Sequence, residues 1–208
     1  PEALAIGDEI HLCSDLNVIM ARSPHGVPQF GETAVFERMM SADRIVLRFN
    51  ERIKLERASE RLLISPPLDV PPEVAVVGGQ DVMITLKAPL RPNSTYTFNL
   101  GEAVVDLTEN NPAAGLTYVV STGPVLDSLF IQGTVSDAFT DKPEENLLVV
   151  LHADTDSTGF SNGRPAYFTR TKKDGTYLLQ NLRSGRYGLH ALRDQNANYR
   201  YDLPNEAI

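Results

Sequence analysis

The stretch Thr171-Lys-Lys-Asp-Gly-Thr-Tyr-Leu-Leu-Gln-Asn-Leu-Arg-Ser-Gly-Arg-Tyr187 decides the fold of this chain. Asp174-Gly175 reads as a hairpin turn, because a primed turn needs residues that tolerate positive φ. Beyond it Tyr177 and Leu179 fall on one face of a strand, and Leu178 and Gln180 on the other. Leu182 and the Ser184-Gly185 turn reverse the chain again, and Arg186 to Leu192 starts the next strand. Two turns and two strands this close together read as a β-meander. No group in it looks like a catalyst.

Working outward, Ser128 to Val135, Leu147 to His152 and Ala166 to Thr171 read as further strands. A long polar loop separates His152 from Pro165. Ahead of Ser121-Thr122-Gly123-Pro124, which marks a boundary, the same texture continues. Ile45 to Phe49, Leu62 to Ile64, Val74 to Val77, Val82 to Leu86, Thr95 to Leu100 and Leu116 to Val120 are short runs punctuated by Pro, Gly and Asn. Such spacing is that of antiparallel sandwiches, and no long amphipathic helix interrupts it. The class is therefore all-β, as two tandem antiparallel β-sandwiches over residues 44–123 and 124–208. Residues 1–43 fit neither a helical nor an alternating period for long and read as short strands or an irregular lead-in.

Bulk properties agree. A chain of 208 residues holds two modules of about 100 residues each. No segment approaches the roughly 20 apolar residues of a membrane-spanning helix. The formal charge of −8 argues against nucleic acid as a partner. It sits mostly in residues 1–128, with 17 acidic against 10 basic side chains, while residues 129–208 hold 10 against 9. Cys13 is the single cysteine, which excludes an internal disulfide and a Cys-based zinc site. The segment beginning at Pro1 has neither a basic nor an apolar leader region, so it reads as a mature or trimmed fragment whose targeting segment was lost.

Two sets of residues resemble known families. Ile45-Val-Leu-Arg-Phe-Asn-Glu51, Leu90-Arg-Pro-Asn-Ser-Thr-Tyr-Thr97, Asp106 to Pro112 and Val120-Ser-Thr-Gly123 resemble a bacterial Ig-like module of the SbsA/Big_5 type. Val120 stands where that pattern usually has Phe. Gly133 to Pro143 and Thr171 to Tyr187 resemble the carboxypeptidase-regulatory-like module, of transthyretin (prealbumin)-like fold. The tandem is similar to Ig-like envelope lipoproteins of Gram-negative bacteria. The resemblance implies a periplasmic, outer-membrane or cell-surface location, with membrane association only through an anchor absent from this chain.

One loop has the donor spacing of a metal site. Asp194, Asn196, Asn198, Arg200 (through its carbonyl) and Asp202 place oxygens at positions 1, 3, 5, 7 and 9 of an EF-hand-like calcium loop. Tyr199 stands where that loop has Gly, and Asn205 where it has Glu. An Asx-rich structural turn is the competing reading. Asp106, Glu109, Asn110 and Asn111 form a second polar loop, read as a self-capping turn. His11, His25, His152 and His190 are scattered. Ser121, Ser184 and Cys13 lack the context of a nucleophile, and Asp154 with Asp156 reads as a solvated loop. Tyr167, Phe168, Tyr177, Tyr187, Tyr199 and Tyr201 would make a sugar platform or, more ordinarily for strand aromatics, core and cross-strand pairs. The residues thus point away from catalysis and cofactors. The expected role is a structural or protein-interaction module of an envelope protein, with unidentified envelope partners reached through strand edges. The alternatives are a calcium- or carbohydrate-binding module, or an accessory domain of a larger envelope enzyme. No His-Glu-x-x-His metallopeptidase motif is present.

Overall fold

The computed structural model describes residues 43–113, 116–153, 164–196, 198–201 and 206, together with the strand backbone of residues 11–13, 18–21 and 35–40. The chain divides into one unit of residues 1–64 and 68–126 and another of residues 65–67 and 127–208. Both are built from antiparallel strands, and among the described residues the only helix is α1 (Ala58–Arg61).

In the first unit one sheet has the order β1 (His11–Cys13), β2 (Val18–Ala21), β11 (Leu116–Ser121), β9 (Thr95–Gly101), β6 (Leu63–Ser65). A second has the order β3 (Val35–Met40), β4 (Arg44–Phe49), β8 (Asp81–Thr85), β7 (Glu73–Val77). The alternating apolar residues point inward from both sheets: Ile45, Leu47 and Phe49 on β4, Val82 and Ile84 on β8, Tyr96, Phe98 and Leu100 on β9, Tyr118 and Val120 on β11. All belong to one buried cluster, which makes the unit a sandwich. On the outer face Arg48 and Asp81 are register partners, joined by two hydrogen bonds of 2.8 and 2.9 Å.

Two features of this unit go beyond the sequence pattern. Of the two readings of residues 1–43, short strands or an irregular lead-in, the short strands hold where the chain is described: β2 pairs with β11, and β3 with β4. These strands are short, and a register shift falls between Val35 and Glu37, which breaks the alternation a sequence pattern relies on. The second feature is a small ladder between β5 (Ile53–Leu55) and β10 (Val104–Asp106), inside segments that had read as connections.

In the second unit β12 (Leu129–Thr134) pairs with β15 (Thr176–Leu182), while β13 (Leu148–Ala153) lies between β14 (Tyr167–Arg170) and β16 (Tyr187–Leu192). Val149, Leu151 and Tyr167 from one sheet bury Leu179 and Leu182 of the other, with Ile131 and Tyr177 packed against them. Tyr177 and Leu179 do face the core, and Leu178 and Gln180 face out.

The meander is corrected. β14, β15 and β16 are consecutive, but β15 pairs with β12 and β16 with β13, so both short turns carry the chain from one sheet to the other. Alternation fixes which side chains are buried, not which strand lies alongside, and burial of Leu179 and Leu182 against Val149 and Leu151 selects the crossing. The primed turn is corrected too. Only Gly175 has positive φ (74°), where a type I′ turn needs two such residues. The Gly175 N–H donates to the Lys172 carbonyl and the Lys172 N–H to the Thr176 carbonyl, both within 2.9 Å. The Gly175 carbonyl accepts the Val135 N–H at 2.9 Å, which fastens this turn to the end of β12.

Candidate functional site

The loop after β16 is assembled by its own side chains. The Asp194 carboxylate accepts the Asn198 N–H at 3.2 Å through Oδ1 and the Tyr199 N–H at 3.1 Å through Oδ2. Asn196 Oδ1 also accepts the Asn198 N–H (3.2 Å), and Asn198 Oδ1 accepts the Arg200 N–H (2.8 Å). These are nested Asx turns, the outcome short polar side chains give when they cap their own backbone. Tyr199 adopts φ 64°, the left-handed conformation that Gly supplies at position 6 of an EF-hand loop. Its ring lies 4.4 Å from that of Phe168, a contact that helps hold an unfavourable backbone.

Spacing alone missed Glu206. Its side chain is 1% exposed, and Oε1 accepts the Gln195 N–H at 3.2 Å, closing the loop back onto its start. A count allowing one residue of slip past position 12 would have found it. Asp202 lies outside the described residues. Asp194, Asn196, Asn198 and Glu206 thus place their oxygens in one loop. Among the described residues no three His, Cys, Asp or Glu side chains converge as a metal site.

The loop at Asp106 is a structural turn. Asp106 is buried, and its carboxylate accepts the N–H groups of Thr108 (2.8 Å) and Glu109. Those bonds hold its pKa below the usual carboxylate range. Asn110 takes φ 64°, and the Asn111 amide donates to Glu109 at 2.9 Å. Asp137 and Asp174 are held low in the same way by Thr140 and Thr176. Arg48 lowers Asp81 and Lys87 lowers Glu73. Each carboxylate so displaced is displaced downward and stays ionised, the opposite of a general acid raised toward neutrality.

The aromatics divide into pairs. Tyr167 and Tyr187 meet edge to face at 5.8 Å, with the Tyr187 hydroxyl donating to the Arg183 carbonyl (2.9 Å) and its pKa pushed up to about 12, chiefly by burial. Tyr167 and Phe168 are buried, so they form core and not a platform. His152 and His190, scattered in sequence, are brought to 5.8 Å by the register that sets Val150 opposite His190 and His152 opposite Gly188. Burial lowers the His190 pKa. Ser121 is buried, donating to the Val125 carbonyl at 2.6 Å and accepting the Gly123 N–H at 3.2 Å, the work of a turn staple. Asp154, Asp156 and His25 lie outside the described residues, and of His11 and Cys13 only the strand backbone is described.

The architecture of the first unit is that of an immunoglobulin-like sandwich. Residues 26–122 match the family of bacterial Ig-like domains termed Big_5, and the match starts at residue 26 where the sequence pattern had suggested 44. Domains of this family occur in bacterial surface or envelope proteins and are generally non-enzymatic structural modules. No curated protein and no solved structure matches the chain.

Proposed function

We propose that this chain is a non-catalytic structural or protein-interaction segment of a bacterial cell-envelope protein, in which a Big_5 module is followed by a carboxypeptidase-regulatory-like module of transthyretin-like fold. The match over residues 26–122 carries this reading. For the second module the support is geometric. Gly133 faces Tyr177, whose hydroxyl would lie 2.7 Å from any Cβ there, and Gly175 packs on Val135 and Pro143. The two motif segments, Gly133 to Pro143 and Thr171 to Tyr187, thus each set a glycine against the other. Cell fractionation of the encoding bacterium, with an antibody to this chain, tests the proposal. Recovery with the envelope is expected, and recovery with the soluble cytosol would overturn it.

A second reading is calcium binding at the loop from Asp194 to Glu206. The observation favouring it is Tyr199 at φ 64° between the oxygens of Asp194, Asn196 and Asn198 and the buried Glu206. In this reading Asp194, Asn196, Asn198, the Arg200 carbonyl and Glu206 hold the ion, with Asp202 at position 9. Thermal melts in EDTA against about 2 mM calcium, above the affinity of extracellular sites, decide it. A rise of several degrees that Asp194→Ala abolishes is expected; superimposed curves would leave an Asx turn.

A further inference from the structure

Two histidines far apart in the sequence share one face of the β14–β13–β16 sheet. Val149 and Leu151 of β13 turn into the core cluster of the second unit, so alternation puts Leu148, Val150 and His152 on the other face. Pairing with β16 sets Leu192 opposite Leu148 and His190 opposite Val150, which places both on that same face. Leu148, Val150 and Leu192 are fully buried and His152 is 7% exposed. His190 is half-buried. The two imidazoles thus lie among apolar side chains at the end of β13.

Gly188 is what lets the two rings meet. It is the register partner of His152, and a Cβ there would lie 3.1 Å from His190 Nε2. The His190 ring therefore folds back along β16 over Gly188 and carries its Nε2 toward His152. The ring centroids are 5.8 Å apart. An ion held at about 2.1 Å by one nitrogen of each ring sets the centroids about 5–6.5 Å apart, for bond angles between tetrahedral and linear. The pair has the spacing of a two-nitrogen clamp with both strands where they stand. Burial lowers the His190 pKa, so near neutral pH its ring is uncharged, the form that binds metal ions.

We propose that His152 and His190 form a binding site for a divalent transition metal ion that prefers nitrogen, copper(II) most tightly and zinc less so. Imidazole suits copper, nickel and zinc, and copper binds a given site most tightly in the divalent series. No third His, Cys, Asp or Glu side chain joins the pair among the described residues. Two protein nitrogens therefore leave the remaining coordination positions to water or to a donor from a bound molecule. Calcium takes oxygen ligands, so this site differs in chemistry and in place from the loop between Asp194 and Glu206. Binding here is also independent of the cellular location proposed above.

The test is calorimetric titration of copper(II) and of zinc into the untagged full chain, stripped of metal with EDTA and dialysed. One ion per chain is expected, with copper the tighter. The double variant His11→Gln/His25→Gln leaves His152 and His190 as the only imidazoles in the chain. It should bind copper as the wild type does, and its electron paramagnetic resonance spectrum should show coupling to two imidazole nitrogens. His190→Gln should lose at least about tenfold in affinity, the least that removal of even an outer-shell partner costs. Circular dichroism checks its fold, and the nitrogen count in the double variant stands without it. Wild type that binds no copper, binding that disappears with His11 and His25, or an affinity that His190→Gln leaves unchanged would each overturn the inference. So would displacement of the copper by excess calcium, which would place the ion in the loop after β16.

Discussion

Gly175→Ala is the most informative single substitution. Gly175 sits at φ 74°, and a Cβ there would lie 2.5 Å from the Val135 carbonyl oxygen and 3.0 Å from Pro143 Cβ. The left-handed conformation alone costs a non-glycine residue about 1–2 kcal/mol. Relief of the clash requires the turn to move off β12. Such a move weakens the Val135 N–H bond to the Gly175 carbonyl and the Gly175 N–H bond to the Lys172 carbonyl, each 2.9 Å long and each worth about 0.5–1.5 kcal/mol. The sum is about 2–5 kcal/mol, or about 8–40 °C in Tm for a module of this size. Gly78→Ala is the control, since Gly78 also has positive φ (62°) but open space within 4 Å. It should show the conformational cost only. Gly175→Asn separates the two causes, because Asn tolerates positive φ yet still carries a Cβ. Calorimetry and far-UV circular dichroism of the full chain supply the readout. If Gly175→Ala costs no more than Gly78→Ala, or if Asn restores wild-type stability, the close packing of the turn on β12 is wrong.

Further outcomes follow from burial and charge. Phe98→Ala and Leu151→Ala, both at fully buried positions, should cost about 3–5 and about 2–5 kcal/mol in urea titrations. Asp81, Asp106, Asp137 and Asp174 have folded pKa values below their unfolded ones. Their stabilisation is therefore complete above the unfolded carboxylate value of about 3.9 and is lost as pH falls through the lower folded values. Asp106→Asn should destabilise at pH 7, with the gap to wild type closing in acid melts. His190 is lowered by burial, so the unfolded chain takes up its proton first. Stability should fall as pH drops below the unfolded value of about 6.5, and His190→Gln should flatten that part of the profile.

What the sequence disclosed and what it hid have one physical cause. A side-chain period of two reports which face of a strand is buried, so Ile45, Leu47 and Phe49, or Tyr177 and Leu179, could be assigned to cores before any partner strand was known. The period carries no information about neighbours. β15 was therefore given its sequence neighbours when its ladder is with β12, and the 5.8 Å approach of His152 to His190 stayed invisible. Residues 1–43 could be read only as short strands or a lead-in for a related reason: strands as short as His11–Cys13 complete too few periods to be told from coil, and pairing along β11 and β4 defines them. The polar loops follow another rule. Asx residues at positions 194, 196 and 198 predicted nested capping because such side chains bond their own backbone wherever they stand. Glu206 needed the return of the chain to become part of that loop. Local rules were legible here and closure was not, so the contacts that define the candidate sites had to be read from the fold.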